Sequence, residues 1–305
     1  MDAAPAQRRI CIVGNARSGA NGKGLAETLA PWLGDGPDRV VDLRLVSNPK
    51  LLERIVDDVA AQGYDCIVAA GGDGTVNAVA RALADTGIEM GIVPLGTFNY
   101  FARGLGLPQD VAGAMTVIMT GRARSVPVGR INDRVFLNNA SFGIYPAILR
   151  QRERTYARWG RSRTLAFLAV MQTMMRFRRP FRVRATVDGT VERLKTPTAF
   201  VAFNAYQLRE FGMEGAECID GGKLALLTAP DTGKPALIWN LARIMLRRGR
   251  KGQDFALSSG TDILMETRRR RAVVAVDGER MVLDAPFRLS VARDSLRVML
   301  PGEEA

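Results

Sequence analysis

The chain contains no histidine. That excludes a Ser-His-Asp triad, an imidazole general base and any histidine-ligated metal. Proton chemistry has to come from Asp, Glu, Lys, Tyr or Cys. Cysteine is scarce as well: Cys11, Cys66 and Cys218 are widely separated and form no CxxC pair. This spacing argues against a zinc site and against a disulfide framework. Cys11 and Cys66 sit in apolar runs (ICIV and CIVAA) and are expected to be buried thiols. No apolar run approaches the roughly 20 residues of a membrane-spanning helix. The first residues, MDAAPAQRRICIVG, lack the apolar stretch of a signal peptide, so a cytoplasmic location is expected. Aromatics are only 7%, and no basic stretch interleaves them as a nucleic-acid stacking surface would.

What is present fits a globular protein. The 305 residues are 47% hydrophobic and 24% charged, enough for about two domains with a sizeable core. Lys and Arg number 43 against 31 Asp and Glu, a net charge of +12. A surface of that sign attracts polyanions such as a nucleotide, a nucleic acid or an anionic membrane.

Strand and helix signals alternate over the first part of the chain. Arg9 to Val13 reads as a strand ending in a glycine-rich loop, Gly14 to Gly24, followed by a helix to about Leu33. Val40 to Val46 reads as a strand, Pro49 to Gln62 as a helix, Tyr64 to Ala70 as a buried strand, Asn77 to Ala84 as a helix and Met90 to Val93 as a strand. This order predicts an α/β domain over 1–124 with a parallel sheet, whose ligands bind at the carboxyl ends of the strands. From about Ser125 short alternating runs take over, with turn signals at Asp188-Gly189 and Asp277-Gly278. They predict a mostly antiparallel β domain over 125–305, with the last strand possibly returning to the first domain. Arg163 to Phe177 and Pro235 to Arg247 read as helices within it.

The strongest local signal is Gly71-Gly72-Asp73-Gly74-Thr75-Val76-Asn77, placed between a buried strand and a helix. Glycines allow close backbone approach to a phosphate, and a helix N-terminus supplies free N–H groups and the positive end of its dipole. The same residues also suit a plain strand–helix turn with Asp73 and Thr75 as caps. No Walker A pattern is present: Gly14 to Ala20 lacks the lysine, and Gly22-Lys23-Gly24 fails too. No dinucleotide fingerprint follows a strand.

In order along the chain, five segments resemble the diacylglycerol kinase catalytic-domain family. Asn15-Ala16-Arg17-Ser18-Gly19 is similar to its NPxSG loop, with Ala16 in place of proline. Gly71 to Asn77 resembles GGDGTxN. Pro94-Leu95-Gly96-Thr97-Phe98-Asn99-Tyr100-Phe101-Ala102-Arg103 resembles PxGTxNDFAR, with Tyr100 where many members have Asp. Asn138 to Gly143 resembles the segment that opens the second domain, and Val276 to Glu279 contains the late DGE. GGDGT alone would also suit NAD kinases, so a soluble small-molecule kinase of that type is the alternative.

The resemblance implies an NAD kinase/diacylglycerol kinase-like fold and an ATP- and Mg²⁺-dependent kinase acting on the primary hydroxyl of diacylglycerol, ceramide or a sphingoid base. It implies that Asn15, Ser18, Gly71, Gly72, Asp73, Gly74, Thr75, Asn77, Gly96, Thr97 and Asn99 line the nucleotide. By the same resemblance Asp73 orients Mg²⁺ or the acceptor, Asp277 is the general base and Glu279 assists. Asp220 and Glu217 are the acidic candidates for an accessory magnesium, because the family's second acidic or amide position is Gly221 here. From pattern alone, Asp277-Gly278 is equally a β-hairpin turn, and Asn138-Asn139 an Asx turn.

A lipid kinase has to meet a bilayer. Thr164 to Phe177 and Pro235 to Leu246 are apolar segments flanked by arginines, and Arg268 to Arg271 is a basic run. Peripheral association with an anionic inner membrane face is therefore expected, with packing on the β domain as the alternative for both helices. Nucleic acid is not expected as a partner, and the oligomeric state is open.

Overall fold

The computed structural model describes residues 7–16, 18, 24–36, 38–48, 51–159, 173, 180–245, 247, 249–250 and 252–302. The segment predicted as a helix over 163–177 lies outside these, apart from Thr173. The chain forms two compact units, residues 1–128 with 292–305, and residues 129–291.

In the first unit, β1 (Arg8–Asn15) is followed by α1 (Leu25–Leu29), β2 (Gly34–Asp35), β3 (Arg39–Val46) and α2 (Leu52–Ala60). Then come β4 (Cys66–Gly71), α3 (Asp73–Leu83), β5 (Glu89–Pro94), α4 (Tyr100–Gly104) and α5 (Val111–Thr120). Strands β5, β4, β1 and β3 lie side by side and all run parallel. Helices cover such a sheet, so its central strands read as continuous apolar runs. Accordingly Cys66 to Gly71 is buried at every position. Ile10, Ile12, Val68, Ala70 and Val93 of the strands pack with Leu25, Leu29, Met115 and Ile118 of α1 and α5. In α2 the buried residues are Leu52, Val56 and Val59, one stripe at helical spacing. Cys11 and Cys66 are fully buried free thiols, as expected. Burial pushes them up to about 11 and about 12, which leaves them chemically quiet.

Two predicted boundaries move. The helix after the glycine loop begins at Asp73 rather than Asn77, because the Thr75 and Val76 N–H groups already bond back to the Gly72 carbonyl. Thr75 is therefore inside the first turn and is not the cap. Helices α4 and α5 were not expected. Helix α5 is capped by Asp110, whose carboxylate accepts the Gly113 N–H at 2.8 Å.

Strand β6 (Arg122–Ile131) leads into the second unit. There follow β7 (Arg134–Phe136), β8 (Asn139–Gly143), α6 (Ile144–Trp159), β9 (Phe181–Val187), β10 (Thr190–Thr196) and β11 (Thr198–Ala202). After them come α7 (Ala205–Glu210), α8 (Ala216–Asp220), β12 (Leu224–Thr228) and α9 (Lys234–Met245). The chain ends in β13 (Ala256–Gly260), β14 (Asp262–Thr267), β15 (Arg271–Val276), β16 (Glu279–Asp284) and β17 (Phe287–Leu300). The strands β13-β12-β11-β8-β15-β16 form one antiparallel sheet. A second antiparallel ladder runs β10-β9-β14-β17. The inner faces meet in a core that includes Phe142, Val201, Leu226, Met265 and Phe287. The early residues of β17 belong to this unit; its later ones belong to the first, where Arg297 and Val298 pair in parallel with Glu89 and Met90 of β5. Helices α6, α7 and α8 escaped the sequence reading because strands on either side dominated it.

Asp188-Gly189 forms the expected hairpin turn between β9 and β10, with φ of 43° and 84°. The Asp188 carboxylate accepts the N–H of Asp262 at 2.9 Å and that of Thr261 at 3.0 Å. The Asp262 N–H above all, and then Thr261, hold its carboxyl below the ordinary value. A lowered folded value means stability that is present above the ordinary Asp range and is lost as pH falls through the folded value. Asp188→Asn is expected to lower the melting temperature at neutral pH, with the gap to wild type closing as pH falls below that range in a melting series.

Candidate active site

The first unit gathers the predicted phosphate loops by its topology. Strands β1, β4 and β5 are parallel neighbours in register, Gly14 opposite Ala70 and Gly71 opposite Pro94. Their carboxyl ends therefore release the loops after Asn15, Gly71 and Pro94 at one edge of the sheet. The loops after β4 and β5 touch directly. A Cβ on Gly96 would lie 2.6 Å from the Gly72 Cα, and one on Gly72 would lie 3.1 Å from the Gly96 Cα. The Leu95 N–H donates to the Gly71 carbonyl at 2.9 Å.

Asp73 ties these loops together. Its Oδ1 accepts the Tyr100 N–H at 2.7 Å and its Oδ2 the Asn99 N–H at 3.0 Å. It thereby caps α4 from another loop, satisfying N–H groups that the helix leaves open. Asn99 stands in the left-handed region at φ 49°, a conformation asparagine tolerates. Its side chain accepts the Gly96 N–H and donates to the Gly96 carbonyl, both at 3.0 Å, and donates to Gln109 at 3.3 Å. The result is a closed, preset turn at Gly96 to Asn99, with Gly96, Thr97 and Phe98 exposed. Tyr100, in place of the family's Asp, stacks on Phe98 with ring centroids 5.4 Å apart.

Burial pushes the Asp73 carboxyl up from its ordinary value, against the opposing N–H groups of Tyr100 and Asn99. A raised folded value favours the fold below the ordinary Asp range, and that benefit is lost as pH rises through the folded value. Asp73 is thus a carboxyl desolvated at some cost to stability, a property concentrated at functional sites. Asn77 is buried, and its Oδ1 has no hydrogen-bond partner among the described residues. Ser18 donates its N–H to the Asn15 carbonyl at 2.8 Å.

The second unit carries the other predicted residues. Asp277 sits at a hairpin tip with φ 49°, followed by Gly278 at φ 84°. Its Oδ2 accepts the Leu137 N–H at 2.9 Å; its Oδ1 accepts those of Asn138 at 2.8 Å and Asn139 at 3.1 Å. Asp277-Gly278 is the expected hairpin turn, and the Asp277 carboxylate is anchored on the segment where β8 starts. Glu279 opens β16 and is exposed. Asn138-Asn139 is not an Asx turn, because Asn139 is the first residue of β8 and its carbonyl accepts the Asp277 N–H at 2.8 Å.

Sequence reasoning missed Asn204 and Gln207. Asn204 donates from Nδ2 to Asn138 Oδ1 at 2.7 Å, and Asn139 Nδ2 donates to Gln207 Oε1 at 3.0 Å. Asn204-Ala205-Tyr206-Gln207, directly after the apolar run that ends at Phe203, was the available signal. Asp220 ends α8 on the surface, where its carboxylate pairs with Arg209. Among the described residues no three acidic or cysteine side chains gather as a metal cage.

A magnesium ion can still be accommodated at Asp73. Its oxygens accept the Tyr100 and Asn99 N–H groups, and the side chain is only partly buried. Mg²⁺ is commonly held by one or two carboxylates together with substrate phosphates rather than by a protein cage. That donor set fits Asp73, whereas the Asp220 carboxylate is paired with Arg209.

Residues 9–131 match the family described as "Diacylglycerol kinase catalytic domain". Over that segment the chain is similar to the diacylglycerol kinase catalytic-domain family. A Klebsiella pneumoniae (strain 342) protein named "Probable lipid kinase YegS-like" is 37% identical over 128 residues, covering 41% of this chain and 42% of that protein. A Staphylococcus aureus (strain JH9) diacylglycerol kinase is 42% identical over 84 residues, 27% of each chain. The matched stretch thus spans less than half of these curated relatives. In fold the likeness extends over almost the whole chain. A crystal structure of a Bacillus anthracis str. Sterne diacylglycerol kinase superposes with a TM-score of 0.68 at 20% identity, over 97% of this chain and 98% of that one.

Proposed function

We propose that this protein is an ATP-dependent lipid kinase that transfers the γ-phosphate to a primary hydroxyl of a membrane lipid: diacylglycerol, ceramide or a sphingoid base. The observation that carries the reading is the Asp73 staple between the glycine loops after β4 and β5. It holds the turn at Gly96 to Asn99 against the N-terminus of α3, where a Cβ on Gly74 would meet nothing within 4 Å. Phosphoryl transfer asks chiefly for such positioning and for stabilisation of charge.

In this reading Asn15, Ser18, Gly71 to Asn77, Gly96, Thr97 and Asn99 line the nucleotide. Asp73 would hold Mg²⁺, which when bound neutralises charge on the phosphates. Asp277 takes the proton of the acceptor hydroxyl as its oxygen bonds to the γ-phosphorus and the bond to the β-bridging oxygen breaks, leaving ADP. Glu279 assists from the same hairpin. For Asp277 to act, one of its lone pairs must serve the hydroxyl in addition to the three N–H groups it already accepts.

A cytoplasmic protein docked peripherally on the anionic inner face of a membrane suits this substrate. Trp239 on α9 is 65% exposed, although Leu237 beside it packs against Ile144. Val273 and Val282 are a cross-strand pair, 47% and 61% exposed, on the hairpin that follows Arg268 to Arg270. No helix among the described residues is long and apolar enough to cross a bilayer.

The deciding assay is transfer of label from γ-labelled ATP into vesicles carrying diacylglycerol, ceramide or sphingosine, with NAD as a soluble control. Labelled lipid is expected with wild type, falling about 10²-fold or more with Asp73→Asn. An asparagine NH₂ would point at one of the two N–H groups that Asp73 now accepts. Label in NAD and none in lipid would sink the proposal. Sedimentation that ignores anionic lipid content and salt would remove its electrostatic membrane component.

A further inference from the structure

The position of Asp277 is set from outside its hairpin. Its carboxylate rests on the backbone N–H groups of Leu137, Asn138 and Asn139, so it goes where they go. Those backbone groups are fixed in turn by buried amides. Asn138 accepts from Asn204 Nδ2 at 2.7 Å through its side chain, and its carbonyl accepts the Phe203 N–H at 2.8 Å. Asn139 donates to Gln207 Oε1 at 3.0 Å. Asn204 Oδ1 accepts the Gln207 N–H at 3.0 Å, which makes it the N-cap of α7. Asn138, Asn139, Asn204 and Gln207 are all buried.

Such a network is a poor device for stability alone. Buried amides are costly unless each is fully paired, and an apolar core of the same shape is often as stable. Here the pairing is incomplete: Asn139 Oδ1 is buried without a hydrogen-bond partner among the described residues. What the network does supply is two directional bonds onto the residues whose N–H groups grip Asp277.

We propose that Asn204 and Gln207 are positioning residues for Asp277. Through Asn138 and Asn139, the first turn of α7 fixes where the carboxylate stands and how it faces the acceptor hydroxyl. The inference rests on the reading of Asp277 as the general base. It concerns the rate of the chemical step, not substrate binding, since neither side chain lies in the nucleotide loops.

Three variants test it, assayed by γ-label transfer below the melting temperature of each. Gln207→Met removes the acceptor for Asn139. Asn204→Ser keeps a cap for α7, serine being a good N-cap, and removes the donor to Asn138. Both are expected to lower kcat about tenfold or more, because misplacement of a reacting group by about 1 Å can cost 10²-fold. KM for ATP and for lipid should stay within about twofold, the pattern of an interaction that acts in the transition state. Gln207→Glu, nearly isosteric and still an acceptor, should restore most of kcat. Wild-type kcat in both Gln207→Met and Asn204→Ser, where Asp277→Asn is inactive, would overturn the positioning role. A rise in KM at unchanged kcat would overturn it as well. Full kcat in Asp277→Asn would instead overturn the base assignment beneath it. If Gln207→Met does not fold, Asn204→Ser decides alone.

Discussion

Asp277→Asn is expected to lower phosphoryl transfer by about 10²–10⁴-fold, the range general-base catalysis contributes. It should also lower the stability of the second unit. The two losses have different origins. The carboxylate accepts N–H groups from Leu137, Asn138 and Asn139, with both oxygens engaged. An asparagine offers one carbonyl oxygen and turns an NH₂ toward at least one of these donors. Hydrogen bonds to a charged group are worth about 1.5–3 kcal/mol each. The melting temperature should therefore fall measurably.

A natural control separates the two effects. Asp188-Gly189 is the same turn, also at positive φ, and Asp188 likewise grips backbone N–H groups of a neighbouring strand, those of Thr261 and Asp262. It has no proposed part in the chemistry. Asp188→Asn should lose stability and retain transfer, whereas Asp277→Asn should lose both. If Asp277→Asn merely melts earlier and transfers label at the wild-type rate, its carboxylate is a staple of the hairpin and the base must be sought elsewhere, with Glu279 the next candidate.

That comparison shows what the sequence could and could not say. Asp-Gly between apolar alternating runs is a hairpin signal at both places, and both hairpins formed. Pattern cannot show that each aspartate reaches across to another strand, because those partners lie 73 to 74 and 138 to 140 residues away. The parallel sheet was legible for a related reason: strands buried on both faces must be apolar throughout, as Cys66 to Gly71 is. Helices α4, α6 and α7 were not legible. Helix α4 has only Tyr100 to Gly104 and depends on a cap supplied by Asp73, 27 residues from Tyr100. The start of α3 was misplaced because Gly72-Asp73-Gly74 reads as a breaker, yet the turn closes on the Gly72 carbonyl. In the candidate site the glycines, Asp73 and Asp277 were visible as motif positions. The amides Asn204 and Gln207 were not, since their meaning lies in contacts 66 and 68 residues away.

The glycines of the loop after β4 separate fold from function. Gly71 and Gly96 have reasons internal to the protein. A Cβ on Gly71 would sit 2.4 Å from Thr75 Oγ1, and one on Gly96 would press on the Gly72 Cα and on Asn99, which is itself bonded twice to Gly96. Gly96→Ala is therefore expected to push the two loops apart, costing about 1–3 kcal/mol of stability as overpacking does. Gly74 has no such reason. It lies in the first turn of α3, is exposed, has ordinary φ, and a Cβ there would meet nothing within 4 Å. For the fold alone alanine should be better, by about 0.5–1 kcal/mol in a helix. What would exclude a side chain at Gly74 is a ligand brought up against the helix N-terminus. Gly74→Ala should thus melt at or above the wild-type temperature and yet bind ATP about tenfold or more weakly, a loss of about 1.4 kcal/mol or more by calorimetry. A variant with raised stability and unchanged ATP affinity would mean that phosphate does not approach this turn, and the nucleotide would have to be placed elsewhere than on the loop joining β4 to α3.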